Sequence, residues 1–150
     1  MFFDAEVLQI TLLSLQISAL ATGISLLIGL PLGTLLALGK FWGRSFLLSI
    51  VNTGMGLPPV VVGLFVAMTL WRSGPLGELQ LIYTPAAIII AQTVISAPVV
   101  TGLTAAALQT LDPRFRLQLY GLGASRLQMI WALWRESRLP LLAALMAGFG

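Results

Sequence analysis

Three long apolar runs dominate the chain. Residues 7–38, 46–71 and 84–111 contain no Asp, Glu, Lys or Arg. Crossing a hydrocarbon core takes roughly 20 apolar helical residues, so each run predicts a membrane-spanning helix. A fourth apolar run opens near Leu139, and the sequence ends at Gly150, about half the length that a crossing needs. The pattern predicts an all-α integral membrane protein, a polytopic helix bundle with a partial fourth span at 139–150, and so a piece of a longer protein with at least four spans. Gly29, Pro31 and Gly33 are where the first helix is expected to bend or stop. The connections are short: "GKFWGR" at 39–44, and "RSGPLGELQLIYTP" at 72–85, whose prolines and glycines favour turns. There is no internal repeat and no low-complexity tract.

Polar residues interrupt the runs at helical spacing. Ser14, Ser18, Thr22, Ser25 and Gly29 share one side of the first helix. Small residues let backbones approach closely, which favours a packing seam over a pathway lining. On the third helix Gln92, Thr93, Ser96, Ala97 and Thr104 form a stripe. A glutamine in lipid must face protein or water, and neutral hydrogen-bonding groups also suit a pathway that passes a hydrophilic solute without holding it. Gln92 and Ser96 are therefore pathway candidates beside the packing alternative.

"NTGMGLPPVVVG", residues 52–63, is the most irregular intramembrane stretch. Pro58 and Pro59 lack amide hydrogens and would free the carbonyls of Gly54 and Met55. Broken backbone at membrane depth persists only where it is buried in protein or lines a cavity. Two readings stay open: a proline kink held by neighbouring helices, or a bend that shapes a central pathway with Asn52 and Thr53 near its mouth.

Composition narrows the class. The 150 residues are 58% hydrophobic and 9% charged, with net charge +3, against about a quarter charged in soluble domains. So few charges give no case for nucleic-acid binding. With no cysteine and no histidine, the commonest general base and metal ligand are missing. The five carboxylates, Asp4, Glu6, Glu78, Asp112 and Glu136, are scattered over loops and ends, so no catalytic constellation and no metal site is expected. Asp4 and Glu6 stand where a secretory signal would carry basic residues, which predicts a retained first segment. Placement of the cations sets orientation. Lys40, Arg44, Arg114, Arg116, Arg126, Arg135 and Arg138 fall on one side if three spans separate the ends, leaving Arg72 across the membrane. The basic side is expected to be cytoplasmic and the N-terminus outside. The spans carry no ionisable group of the kind that a proton-coupled carrier needs.

Between the third run and the fourth lies "RFRLQLYGLGASRLQMIWALWRESRLP", residues 114–140, with five of the eight basic residues. Asp112 and Pro113 read as a helix start, cap followed by first-turn proline. One helix is expected toward Gly121 or Gly123 and a second from about Ser125 through Arg138. The segment is either an interfacial hairpin, with Leu119, Leu122, Leu127, Ile130, Trp131 and Trp134 toward lipid, or a cytoplasmic ledge that docks another protein, a glycine allowing the sharp turn.

"LGASRLQMIWALWRESRLPLL" resembles the cytoplasmic loop of binding-protein-dependent ABC importer permeases. With "GLPPVVVGLFVAMTLWRSGPLG" and "YTPAAIIIAQTVISAPVVTGLTAAALQTLD", the chain from about residue 8 onward is similar to the tungstate-type branch of the oxyanion permeases, near the molybdate and sulfate types. The resemblance implies one permease domain with its coupling loop at 112–138, in which Gly123, Ala124, Ser125 and Arg126 dock an ABC ATP-binding subunit. It implies a homodimer in a prokaryotic plasma membrane, the inner membrane of a Gram-negative cell, and an extracytoplasmic oxyanion-binding protein. ATP and magnesium would be bound by the partner subunit, with no cofactor in this chain. Two features depart from the family pattern: Leu117, Gln118 and Leu119 stand where Glu-Ala-Ala is usual, and Leu139-Pro140 follows Gly123 about one helical turn late. The rival readings are a self-sufficient secondary transporter or channel, and a non-transporting membrane scaffold.

Overall fold

The computed structural model of the protein describes residues 5–149; Asp4, half of the acidic N-terminal pair, lies outside them. The described residues form seven α-helices and one 3-10 turn, with no strand: α1 (Ala5–Leu38), α2 (Arg44–Gly56), α3 (Pro59–Leu70), the turn Gly77–Leu79, α4 (Pro85–Gln109), α5 (Pro113–Gly121), α6 (Arg126–Glu136) and α7 (Arg138–Phe149). The all-α membrane architecture read from the apolar runs is the architecture found. α1 and α4 are each long and apolar enough to cross a membrane.

α4 is the hub. It packs along α1, and α2, α3 and α7 also lie against it. The expected stop in the first helix is not there: α1 continues through Pro31 to Leu38. Gly29 and Gly33 serve the α1–α4 approach instead. A Cβ on Gly29 would fall 2.7 Å from Val100 Cγ1, and one on Gly33 would fall 2.6 Å from Thr104 Cβ. The two glycines let the helices close to a distance that no side chain permits, and that packing flanks Pro31 on both sides.

The second apolar run is two helices, not one, meeting at a bend of 102°. The cause is local. Leu57 (ψ 132°) and Pro58 (ψ 131°) are both extended, and each precedes a proline, whose ring excludes the α conformation from the residue before it. Two successive residues are thereby forced out of the helix. Pro59 then occupies the first position of α3, where its missing N–H costs nothing.

The bent pair carries the chain from one end of the bundle to the other. At its start, Arg44 Nε donates to Leu36 O at 2.7 Å, beside the end of α1. At its finish, the Trp71 and Tyr83 rings meet edge-on at 6.2 Å, beside the start of α4. α1 and α4 therefore run parallel, and their final turns share a buried cluster: Leu108, Met129 and Leu133 packed with Ala37 and Leu38. Lys40, Arg44 and Arg116 line one pocket at that end, whereas Arg72 and Glu78 share one at the other. The aromatic residues mark the same two levels. Trp42, Tyr120, Trp131 and Trp134 lie in the basic-end loops and ledge, and Trp71 and Tyr83 at the opposite end, as side chains that favour membrane interfaces do.

Candidate functional site

The ledge that joins α4 to α7 is built from capping signals. Asp112 accepts from the Arg114 amide at 2.8 Å, with Pro113 in the first turn of α5. α5 ends in a Schellman turn: the Gly123 amide donates to Tyr120 O and the Ala124 amide to Leu119 O, both at 3.0 Å. Gly123 sits at φ +77°. A Cβ there would meet nothing within 4 Å, so glycine is needed for backbone conformation and not for space within the chain. Ser125 then caps α6 through a full capping box. Its hydroxyl accepts from the Gln128 amide at 3.3 Å and its own amide donates to Gln128 Oε1 at 2.8 Å.

One face of this ledge is fastened to the bundle. Leu133 is fully buried, as is Leu108 beneath it. The Trp134 indole N–H donates to Thr34 Oγ1 at 3.0 Å. The expectation that Leu119 and Trp134 face lipid is thus corrected: both pack on the buried cluster at the ends of α1 and α4, because an indole N–H in an apolar setting seeks an acceptor. The opposite face is open. Gly123, Ser125 and Arg126 are exposed and Ala124 is half-buried. Leu122 (84% exposed) and Leu127 (79%) flank the glycine, and Arg135 stacks over the exposed Trp131 ring at 5.5 Å. Apolar side chains rimmed by arginines around a rigid turn form a surface suited to a protein partner.

α6 passes into α7 through Ser137 alone, which is buried. α7 in turn lies in the groove between α1 and α4, where Gly148 O accepts from Ser96 Oγ at 2.7 Å and from Thr22 Oγ1 at 3.5 Å. The seam above is closed by Gln92 Nε2 donating to Ser18 Oγ (3.2 Å) and Ser25 Oγ donating to Thr93 O (3.3 Å). The first-helix stripe is a packing seam in its central part: Thr22 and Ser25 are buried, while Ser14 is exposed and bonds within its own helix to Ile10 O. Gln92 and Ser96 come together in this seam.

Asn52, Thr53, Pro58 and Pro59 are not brought to it. They are exposed on α2 and at the break. α4 presents Ser96 toward α7, whereas Pro98 meets Gly54 of α2, on whose Cβ position it would close to 2.9 Å. Thr53 lines an apolar groove between α1, α2 and α4. Sequence reasoning did not anticipate the Trp134–Thr34 tie or the two arginine caps, Arg44 on Leu36 O and Arg116 on Leu108 O. The signal for the caps was available, since basic residues just past a helix end commonly hold its last carbonyls.

The profile of the binding-protein-dependent transport system inner membrane component family matches residues 29–150. The chain is 37% identical over 142 residues to the "Probable anion ABC transporter permease protein" of Haloferax volcanii, covering 95% of this chain and 61% of that protein. It is 37% identical over 139 residues to a tungstate uptake system permease of Peptoclostridium acidaminophilum, covering 93% and 61%. A molybdenum transport system permease of Escherichia coli is 30% identical over 139 residues, covering 88% and 61%. The chain thus spans about three-fifths of the length of these relatives.

Proposed function

The chain belongs to the family of binding-protein-dependent transport system inner membrane components, and from that premise we propose that it is part of the permease subunit of an ATP-driven importer for tungstate or a related tetrahedral oxyanion. Two permease subunits would enclose the pathway. A separate ATP-binding subunit, holding ATP and magnesium, would dock on the open face of the ledge around Gly123, Ala124, Ser125 and Arg126. An extracytoplasmic binding protein would deliver the anion at the end that carries Arg72. The basic end would face the cytoplasm and the N-terminus the outside.

The observation that carries this reading is the ledge itself, exposed on one face and joined to the spans on the other. Movement of the turn at Gly123 would pass along α6, through buried Ser137, into α7, whose Gly148 carbonyl is held by Ser96 of α4 and Thr22 of α1. Closure of the ATP-binding subunits could in this way shift α7 against the α1–α4 pair and alternate the access of the pathway. Gln92 and Ser96 lie in the seam that such a shift would open. The absence of tight anion ligands among them suits a conduit, because strong binding there would slow release.

The test is substrate-dependent ATP hydrolysis by the full-length permease with its ATP-binding subunit in liposomes, comparing wild type with Gly123→Arg. Loss of permease-dependent hydrolysis by an inserted, folded variant supports the dock. Normal coupling by that variant, or failure of the two proteins to associate, would overturn it.

A further inference from the structure

The loop between α1 and α2 and the start of α5 enclose a pocket at the basic end of the bundle whose lining holds Lys40, Arg44 and Arg116 and no carboxylate. Two of these cations are fixed in place. Arg44 gives its Nε–H to Leu36 O, and Arg116 gives one Nη2–H to Leu108 O at 3.2 Å. Those caps use one donor from each guanidinium, which has five. Three like charges lining one pocket repel one another, so the pocket favours a negatively charged occupant.

What adjoins the pocket selects among anions. Leu35, Leu36, Phe46 and Leu47 line the mouth of an almost wholly apolar groove that runs between α1, α2 and α4 to Val94 and Pro98. Pocket and groove adjoin along the chain: Ala37 and Ser45 line the first, and their chain neighbours Leu36 and Phe46 line the second. Fully exposed Trp42 lines the basic pocket, a residue type that settles at headgroup level. A free inorganic oxyanion would use the cations and leave the groove empty. We infer that this end of the bundle binds an anionic phospholipid, its phosphodiester at Lys40, Arg44 and Arg116 and an acyl chain in the groove. The inference requires only a membrane-embedded chain, so it stands or falls separately from the transport reading.

The test uses the full-length protein in detergent, titrated with phosphatidylglycerol, with phosphatidylcholine and with inorganic phosphate, and bound species counted by native mass spectrometry. Phosphatidylglycerol is retained in preference to phosphatidylcholine, and Arg44→Gln lowers that preference about fivefold, the contribution of one interfacial cation. Because Arg44 also caps α1, Lys40→Gln, an exposed side chain outside both caps, serves as the second variant and lowers it similarly. Equal retention of the two lipids, or a preference untouched by Lys40→Gln, overturns the site. Displacement of phosphatidylglycerol by an equimolar amount of inorganic phosphate overturns the lipid assignment in favour of a free-anion pocket.

Discussion

The indole N–H of Trp134 donates to the hydroxyl of Thr34 at 3.0 Å, joining residues a hundred positions apart and tying the ledge to α1. Thr34 in turn donates to Leu30 O at 2.7 Å, so its hydroxyl is oriented to accept. Thr34→Val keeps the volume but leaves the indole N–H without this acceptor, and should destabilise the protein by about 1–3 kcal/mol. Trp134→Phe leaves Thr34 still bonded to Leu30 O and removes no acceptor from a buried donor. Thermal unfolding in detergent checks the order: Thr34→Val should lower the midpoint at least as far as Trp134→Phe, despite deleting fewer atoms.

Two glycines on α1 should respond in opposite ways to the same methyl group. At Gly33 a Cβ would fall 2.6 Å from Thr104 Cβ and 2.7 Å from Thr101 O, whereas at Gly23 it meets nothing within 4 Å. Gly33→Ala should destabilise by about 1–3 kcal/mol, the usual range for overpacking. Gly23→Ala should be neutral or stabilising by up to about 1 kcal/mol through helix propensity. Unfolding titrations in mixed micelles distinguish the two; equal effects would mean that α1 and α4 are not packed as described.

The bend between α2 and α3 should depend on the proline pair and not on tertiary packing alone. Replacing both Pro58 and Pro59 by alanine restores the α conformation to Leu57 and residue 58 and supplies the missing amides. Spin labels at exposed Ser49 and Met68 should then move apart toward about 28 Å, the length of 19 residues of straight helix. Pro58→Ala alone leaves residue 58 ahead of Pro59 and should keep most of the bend. An unchanged distance in the double variant would place the cause in the packing of α4.

How much of this was legible in the sequence follows from the range of each signal. The starts of the two ledge helices are legible in the sequence, because Asp112-Pro113 and Ser125 act through bonds spanning two or three residues; the Gln128 half of the capping box and the end of α6 at Glu136, short of the expected Arg138, are not. The break at Pro58-Pro59 was placed correctly, yet its 102° angle was not, since two adjacent extended residues define a direction only in three dimensions. Gly29 and Gly33 read in the sequence as points of bend or stop because their reason for being glycine, the contact with Val100 and Thr104, lies some seventy positions away. The partners of Gln92 and Ser96 are hidden likewise, 74 and 52 positions away. Polarity in an apolar run announces that a group faces protein or water, and only the fold says that Ser18 and Gly148 O are what it meets.

Ser96 offers a measure of how strongly α7 is held. Its hydroxyl is the nearer of two donors to Gly148 O, at 2.7 Å against 3.5 Å for Thr22. Ser96→Ala should cost about 0.6 kcal/mol, the typical worth of a hydrogen bond between membrane helices, because Thr22 can take up part of the role. Gly148→Ala should cost more, as its Cβ would lie 2.8 Å from Val100 Cγ2. If Ser96→Ala proves the more damaging in unfolding titrations, the seam depends on the hydroxyl and not on the close approach.

Gly123 separates a folding role from a docking role through the choice of replacement. At φ +77° an alanine is strained by about 1–2 kcal/mol, whereas asparagine visits this region more readily and can cap a helix in glycine's place. A side chain at this point meets nothing within the chain. Gly123→Asn should therefore unfold at a temperature close to wild type, and Gly123→Ala lower. If the turn is only a hinge between α5 and α6, ATP hydrolysis coupled to the partner subunit should follow the same order, with asparagine nearly normal. If the exposed glycine is itself a contact, asparagine adds bulk to a surface that closes on another protein. Coupling should then fall with both replacements while stability falls with alanine alone. Measuring melting temperature and stimulated hydrolysis on the same three full-length proteins gives the answer, because a stable, inserted and uncoupled Gly123→Asn variant has no explanation within the chain.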